Sequence, residues 1–279
     1  MKHSHLDATY KVIDADLAYK VFNLKELWRY RDLFYFLVWR DIKTRYAQSV
    51  LGVGWAVIQP VFSMVVFTII FGNLAKISSD GVPYAIFNFV ALVPWTYFST
   101  AVTGATTSLV TFSELITKVY FPRFVIPLAP VLGKLVDFCI GLVILLGMML
   151  FYQIVPTIGA LTLPLVILIM MLTASGVGLW LAALSIQYRD INYAIGFIVQ
   201  LLMYAAPVVY STSIVPDQWR LVYALYPMVG VIESFRAGLL GTVTMPWDLI
   251  GVSAFSATLI FFSGAYYFRR MERIFADVV

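Results

Sequence analysis

Two ionisable side chains three positions apart, Lys134 and Asp137, stand inside an otherwise apolar stretch of this 279-residue chain. At that spacing they share one helical face, and either one alone would be costly in hydrocarbon. They can neutralise each other as an ion pair near the inner interface, or they can belong to a subunit or gate contact. A second charged set, Arg40, Lys43 and Arg45, crowds against the start of the first long apolar run. Guanidinium groups hold phosphate through paired hydrogen bonds, and the same cations suit anionic lipid headgroups. A third set lies in "TFSELITKVYFPRFVIP", where Glu114, Lys118 and Arg123 stand among Leu115, Ile116, Val119, Tyr120 and Phe121. Such a segment is either a turn with interface aromatics or a short helix that docks on a soluble partner.

Other chemistry is missing from the chain. There is no G-x-x-x-x-G-K-[ST] phosphate loop and no H-E-x-x-H, and the two histidines, His3 and His5, sit in a polar lead-in. The one cysteine, Cys139, lies within an apolar run and reads as packing, with no disulfide or cysteine metal site possible within the chain. A transferase acting on a lipid carrier would need clustered carboxylates or a histidine at the interface, whereas the acidic residues here are scattered. A proton-driven transporter would place several ionisable groups near mid-membrane. Lys134 and Asp137 are the only candidates, and they lie toward the inner end. The expectation is a chain that is not itself an enzyme and holds no metal.

The elements that must position these residues follow from composition. Hydrophobic residues make up 61% and charged residues 12% of the chain, against roughly a quarter charged in a soluble domain. The long continuous apolar runs suit helices rather than the alternating ~10-residue segments of a barrel. The fold class is therefore an all-α integral membrane protein.

Residues 1–23 form the polar lead-in. Over 24–46 an imperfect helical pattern places Leu24, Leu27, Trp28, Tyr35, Val38, Trp39 and Ile42 on one side and Lys25, Arg29, Arg40 and Lys43 nearly opposite, as in a helix lying at the membrane interface. A domain over 47–273 follows, with six transmembrane helices expected at 52–71, 86–110, 126–152, 161–186, 191–210 and 247–268. The connection over 213–245 is too long for a turn, too apolar for a loop, and broken at Pro227 into halves too short to cross. It reads as an outer re-entrant helical hairpin, with a seventh and eighth span as the alternative. Residues 274–279 form a tail. No signal-peptide pattern opens the chain. Lys and Arg crowd the lead-in and the connections holding Lys118, Arg123, Arg189, Arg269, Arg270 and Arg273, while the opposite side holds only Lys76, Arg220 and Arg236. Both termini are accordingly expected in the cytoplasm.

"WRDIKTRYAQSVLGVGWAVIQP" (39–60), "LVPWTYFS" (92–99), "TKVYFPR" (117–123), "QYRDI" (187–191) and "YPMVGVIESFRAGLLG" (226–241) together resemble the membrane subunit of type-2 ABC exporters of polysaccharide, the group of O-antigen, capsule and teichoic-acid permeases. The resemblance runs over about 24–273. It implies a homodimer in the bacterial inner membrane, with ATP and magnesium held on a separate ATP-binding cassette subunit, a lipid-linked glycan as cargo, and no nucleic acid partner. It places a coupling helix at 112–123, with Glu114, Lys118, Tyr120, Phe121 and Arg123 facing the ATPase, and sets Arg40, Lys43 and Arg45 where a glycan pyrophosphate would arrive. It makes 216–241 the outer cap of the route. The family's aromatic-lined route would be represented by Trp55, Phe62, Tyr97, Phe98 and Tyr204, although such rings also gather at the interfaces of any bundle. A drug, antibiotic or small lipid is the alternative cargo.

Overall fold

A computed structural model describes residues 28–47, 52, 54–118 and 121–272. The lead-in over 1–23, Tyr120 and the tail over 274–279 lie outside these residues. Among the described residues the regular elements are all helical. Five helical segments are long and apolar enough to cross a bilayer: Gly54–Leu74, Tyr84–Thr111, Val125–Phe151, Ile158–Gln187 and Trp247–Met271. They correspond to five of the six expected spans.

The remaining expected span is shorter than its sequence pattern suggests. Its helix covers Asp190–Ala205, about 24 Å at 1.5 Å per residue, against a hydrocarbon core of roughly 30 Å. The helix stops because Ala206 precedes Pro207. A residue before proline avoids the helical region, and Ala206 is extended at φ −84, ψ 150.

In chain order we label the helices α1 (Arg31–Tyr46), α2 (Gly54–Phe67, continued by a π-helical turn over Thr68–Leu74), α3 (Tyr84–Thr111), α4 (Ser113–Lys118), α5 (Val125–Gly133), α6 (Leu135–Phe151), α7 (Leu163–Gln187), α8 (Asp190–Ala205), α9 (Asp217–Tyr223), α10 (Pro227–Leu239) and α11 (Trp247–Met271). The pillar of the bundle is α3, which packs against α2, α5, α6, α7, α8 and α10. Its small and aromatic residues, including Ala91, Tyr97, Phe98, Ala101 and Ala105, are almost completely buried.

α7 and α11 lie against each other along much of their length. Gly176 and Gly264 make this possible, since a Cβ at Gly176 would stand 2.7 Å from the backbone of Ile260 and Phe261. Close backbone approach through small residues is how helices gain packing energy where lipid supplies no hydrophobic drive between them. Toward the C-terminal ends of this pair Trp180 stacks on Tyr267 with centroids 4.2 Å apart and donates its indole N–H to Ser263 at 3.1 Å.

Between α8 and α11 the chain folds into two helices, neither long enough to cross. α10 starts at Pro227, whose missing N–H costs nothing in a first turn. It is buried on every residue and ends at Gly241, whose φ of +66 suits glycine. Cys139, read from sequence as packing, is exposed on α6.

Candidate functional site

The charged residues singled out by sequence meet where α1 reaches the bundle. The side of α1 that carries Trp28, Tyr35 and Trp39 is exposed, and a different side packs inward. Leu37 is buried against Val125 and Ala129 of α5, with Leu33 and Phe34 alongside. One and two turns further along that inward side come Asp41 and Arg45, at the i,i+4 spacing that shares a face. Gly133 at the end of α5 leaves room for the Asp41 carboxylate, which a Cβ there would strike.

Arg45 is the centre of the resulting cluster. One guanidinium nitrogen donates to Asp137 Oδ2 at 2.6 Å and the other to Asp41 Oδ2. The Tyr46 hydroxyl donates to Asp137 Oδ1. Lys134 Nζ lies 3.6 Å from Asp137 Oδ2, so the i,i+3 pair seen in the sequence exists, but Arg45 is the closer partner of the carboxylate. Two cations and two carboxylates balance. Burial, together with the hydrogen bond to Asp137, pushes the Tyr46 phenol up to about 12.

This cluster borders two cavities. One, of about 280 Å³, lies among α2, α3 and α6 and is walled by Trp55, Gln59, Tyr97 and Asp137 as well as by Arg45 and Lys134. The other, of about 380 Å³, runs along the C-terminal half of α3, past Ser99, Thr103, Thr107 and Thr111, and is also bordered by Asp41, Arg45 and Lys134. On that wall Thr103, Thr107 and Thr111 donate their hydroxyls to the carbonyls one turn back, at 2.9, 3.1 and 3.0 Å. Their oxygens keep lone pairs free to accept hydrogen bonds. The wall offers acceptors to a polyhydroxylated guest without fixing its register.

The other predicted residues scatter around this centre. Arg40 and Lys43 point away from it. The Arg40 guanidinium sits 4.5 Å over the Phe112 ring, and the Lys43 ammonium 4.7 Å over Trp39. Of the aromatic residues, Trp55 lines the first cavity and is half-exposed, while Phe62 and Tyr204 lie on exposed helix faces. Tyr97 and Phe98 depart from the expectation of an open aromatic wall, since both are 1% exposed. The cause is the position of α3 at the centre of the bundle. Tyr97 donates its hydroxyl to Val131 O at 3.1 Å and shows only part of its ring to the first cavity, whereas Phe98 packs on Trp95 and lines neither of the two cavities.

Around α4, Glu114 and Lys118 are exposed and paired at 3.1 Å. Ile116, Phe121 and Phe124 turn inward onto the C-terminal ends of α7 and α11, among Leu179, Ala183 and Phe268. Arg123 donates its backbone N–H to Glu272 Oε1 at 3.1 Å and its guanidinium to Glu272 O at 2.9 Å. Among the described residues of the segment, the charges of Glu114 and Lys118 face outward.

One pair escaped the sequence reading. Arg236, counted there among the few charges of the side opposite the termini, is 1% exposed on α10 and bonded to Glu233 at 2.9 Å. It also donates to Tyr210 O at 3.0 Å and Val208 O at 3.1 Å, and its guanidinium lies 3.8 Å from the Phe87 ring. The available signal was Glu-x-x-Arg inside an otherwise apolar helix, the i,i+3 spacing already noticed at Lys134.

The profile of the family described as ABC-2 type transporter matches residues 32–240, which is most of the chain and includes α1, both cavities and α10. The chain belongs to the ABC-2 type transporter family. As a member of that family it is a membrane subunit of a transporter, and its several spanning helices make it a multi-pass membrane protein. It is 33% identical over 216 residues to the O-antigen export system permease protein RfbA of Myxococcus xanthus, covering 77% of this chain and 82% of that relative. An O-antigen export system permease protein RfbA of Klebsiella pneumoniae is 24% identical over 249 residues, with 89% of this chain and 95% of the relative covered. In this ABC-2 member the matched region holds every charged group of the α1 cluster.

Proposed function

We propose that the chain is the permease subunit of an ATP-driven exporter that moves a lipid-linked polysaccharide such as O-antigen across the bacterial inner membrane. It works as a homodimer, each copy paired with a separate ATP-binding cassette subunit that holds the ATP and magnesium. α8 completes a sixth crossing together with the turn that follows it at 206–210. Both termini are cytoplasmic, α1 lies at the cytoplasmic interface, and α9 with α10 forms the outer re-entrant hairpin over 213–245. The exposed charges of 112–123 meet the ATPase, and its apolar side carries movement into α7 and α11.

The observation that carries the cargo reading is the shared border of the two cavities. Cations at the inner end, an indole at Trp55 and a row of acceptor hydroxyls on α3 suit a guest with an anionic head and a long hydroxylated body. Arg45 is the inward-facing member of the basic set, and a pyrophosphate would meet it there. Arg40 and Lys43 then serve anionic headgroups at the membrane surface.

The test is ATP hydrolysis in nanodiscs by this chain co-purified with its ATP-binding subunit, with and without lipid-linked glycan. Stimulation by glycan, and loss of that stimulation in Glu114→Ala and Arg123→Ala, is the expected result. A complex stimulated by small amphiphiles and indifferent to glycan would move the cargo to a drug or small lipid. A chain that binds no ATPase and moves cargo alone would overturn the reading.

A further inference from the structure

Arg45, Lys134 and Thr100 line both cavities, and the two cations of that trio are engaged by Asp41 and Asp137. The cluster is thus a partition between a cavity reaching the inner end of α3 at Thr111 and Phe112 and one lying deeper, against Gln59 and Gly141. Its charges are only about one-fifth exposed on Arg45, Lys134 and Asp137. At that depth a cation pair needs an anion beside it, and the anion now beside it is a side chain.

We propose that Asp137 is the resting occupant of an anion site formed by Arg45 and Lys134, and that a phosphate-bearing group enters by replacing the Asp137 carboxylate, which joins the two cavities. This deepens the proposed function and rests on it for the identity of the cargo.

Three observations favour a displaceable carboxylate over a permanent brace. First, Asp137 comes from the start of α6, whereas Arg45 comes from α1. The 2.6 Å bond therefore ties two separate elements and breaks if either one shifts. Second, Arg45 keeps a partner on its own helix in Asp41, at i,i+4, so losing Asp137 does not leave the guanidinium bare while the ligand arrives. Third, the donors that converge on Asp137 are a guanidinium N–H, the Tyr46 hydroxyl and an ammonium. Their number and kind match what a phosphate accepts, because its oxygens take several charge-assisted bonds at once where a carboxylate has two oxygens to offer. A dianionic phosphate also brings more charge than the carboxylate it displaces. The exchange sets two negative charges where one stood beside the cations and frees Asp137 to the cavity. In the resting state the Asp137 pairing keeps the partition shut, since the cations are already satisfied.

The ligand chemistry is an organic or inorganic pyrophosphate, and its source is either the headgroup of a polyprenyl lipid or a free anion. The test uses the full chain in nanodiscs, and the probes are inorganic pyrophosphate, a polyprenyl pyrophosphate lipid, and phosphatidylglycerol as the charge control. Binding is read by the thermal shift and by the concentration giving half of it. Asp137→Asn keeps shape and a hydrogen-bond acceptor while removing the competing charge. It is expected to bind pyrophosphate at least about tenfold more tightly than wild type, and Arg45→Gln in the same chain is expected to erase the gain. Equal binding by wild type and Asp137→Asn, or a gain that survives loss of Arg45, overturns the proposal. A gain with the polyprenyl lipid above that with phosphatidylglycerol supports a lipid headgroup as the ligand, and a gain confined to inorganic pyrophosphate overturns that source. Because the measurement needs neither ATP nor export, its failure is distinct from failure of the exporter reading.

Discussion

Arg123 and Glu272, 149 positions apart, join the segment after α4 to the C-terminal end of α11 through two hydrogen bonds, one from the Arg123 backbone and one from its guanidinium. Glu272 also accepts from Arg269 at 2.7 Å, and its own N–H returns to Phe268 O at the end of α11. The connection matters because α11 is packed along α7 and reaches α9 and α10 at its other end, where Ser253 donates to Ala224 O, just after α9, at 3.1 Å. The segment at Arg123 is thereby bonded to a helix that also touches α9 and α10.

Glu272→Gln should weaken this connection while leaving the fold intact, because the site is only partly buried and Gln still accepts one bond. Coupling losses at such links run to about 0.5–2 kcal/mol, or roughly a two- to thirtyfold fall in export per ATP hydrolysed. Export and hydrolysis measured on the same proteoliposomes check it. A parallel fall in both would show that Glu272 serves assembly and not transmission.

Breaking the Glu233–Arg236 pair should cost more. Arg236→Met leaves a carboxylate that is 2% exposed without its cation and strips two backbone carbonyls of their donor. Removing one partner of a buried pair costs about 3–5 kcal/mol. The double change Glu233→Gln with Arg236→Met should recover part of that loss. Thermal unfolding of the three variants in one detergent gives the comparison, and equal loss in the single and double variants would show that the carbonyl contacts, rather than the ion pair, matter.

Much of the fold was legible because membrane helices announce themselves by length and polarity. Five spans fell close to their sequence limits, and the break at Pro227 marks the start of α10. The span expected at 191–210 was overextended because Pro207 and the apolar residues after it satisfy hydropathy without satisfying a helix. The site was half legible. Lys134 and Asp137 were visible as a pair from their spacing, but the cation bonded more closely to Asp137, Arg45, lies 92 positions from it. No local period reports such a distance. On α1 the rings of the aromatic side, read as lying at the membrane interface, dominate the pattern. The structure packs a different side, where Leu33 and Leu37 give way to Asp41 and Arg45, a run that gives a weak signal.

Tyr46 offers a pH signature of the same cluster. Its phenol is pushed up to about 12, first by burial and then by the bond to Asp137. A folded-state value above the ordinary 10 contributes stability that is fully present below pH 10 and is lost as pH rises from 10 through 12. Tyr46→Phe should therefore reduce the fall in stability between pH 10 and 12 relative to wild type. Chemical denaturation at pH 9 and pH 11.5 reads the difference, and identical pH slopes would place Tyr46 outside the cluster.

The contact between α7 and α11 should be the least forgiving apolar feature of the bundle. At Gly264 a Cβ would stand 2.9 Å from the Trp180 ring and closer still to Gly176 O. The latter is backbone, which cannot swing aside as a side chain can. Gly264→Leu must therefore spread the two helices or unstack Trp180 from Tyr267, and overpacking of this kind costs about 1–3 kcal/mol or more. Gly147 on α6, with nothing within 4 Å of an added Cβ, makes the matched control. Gly147→Ala should unfold within about 0.5 kcal/mol of wild type while Gly264→Leu melts well below it. If Gly264→Leu instead melts with wild type but loses export, the helices have room to separate, and their close packing would belong to one state of the transport cycle.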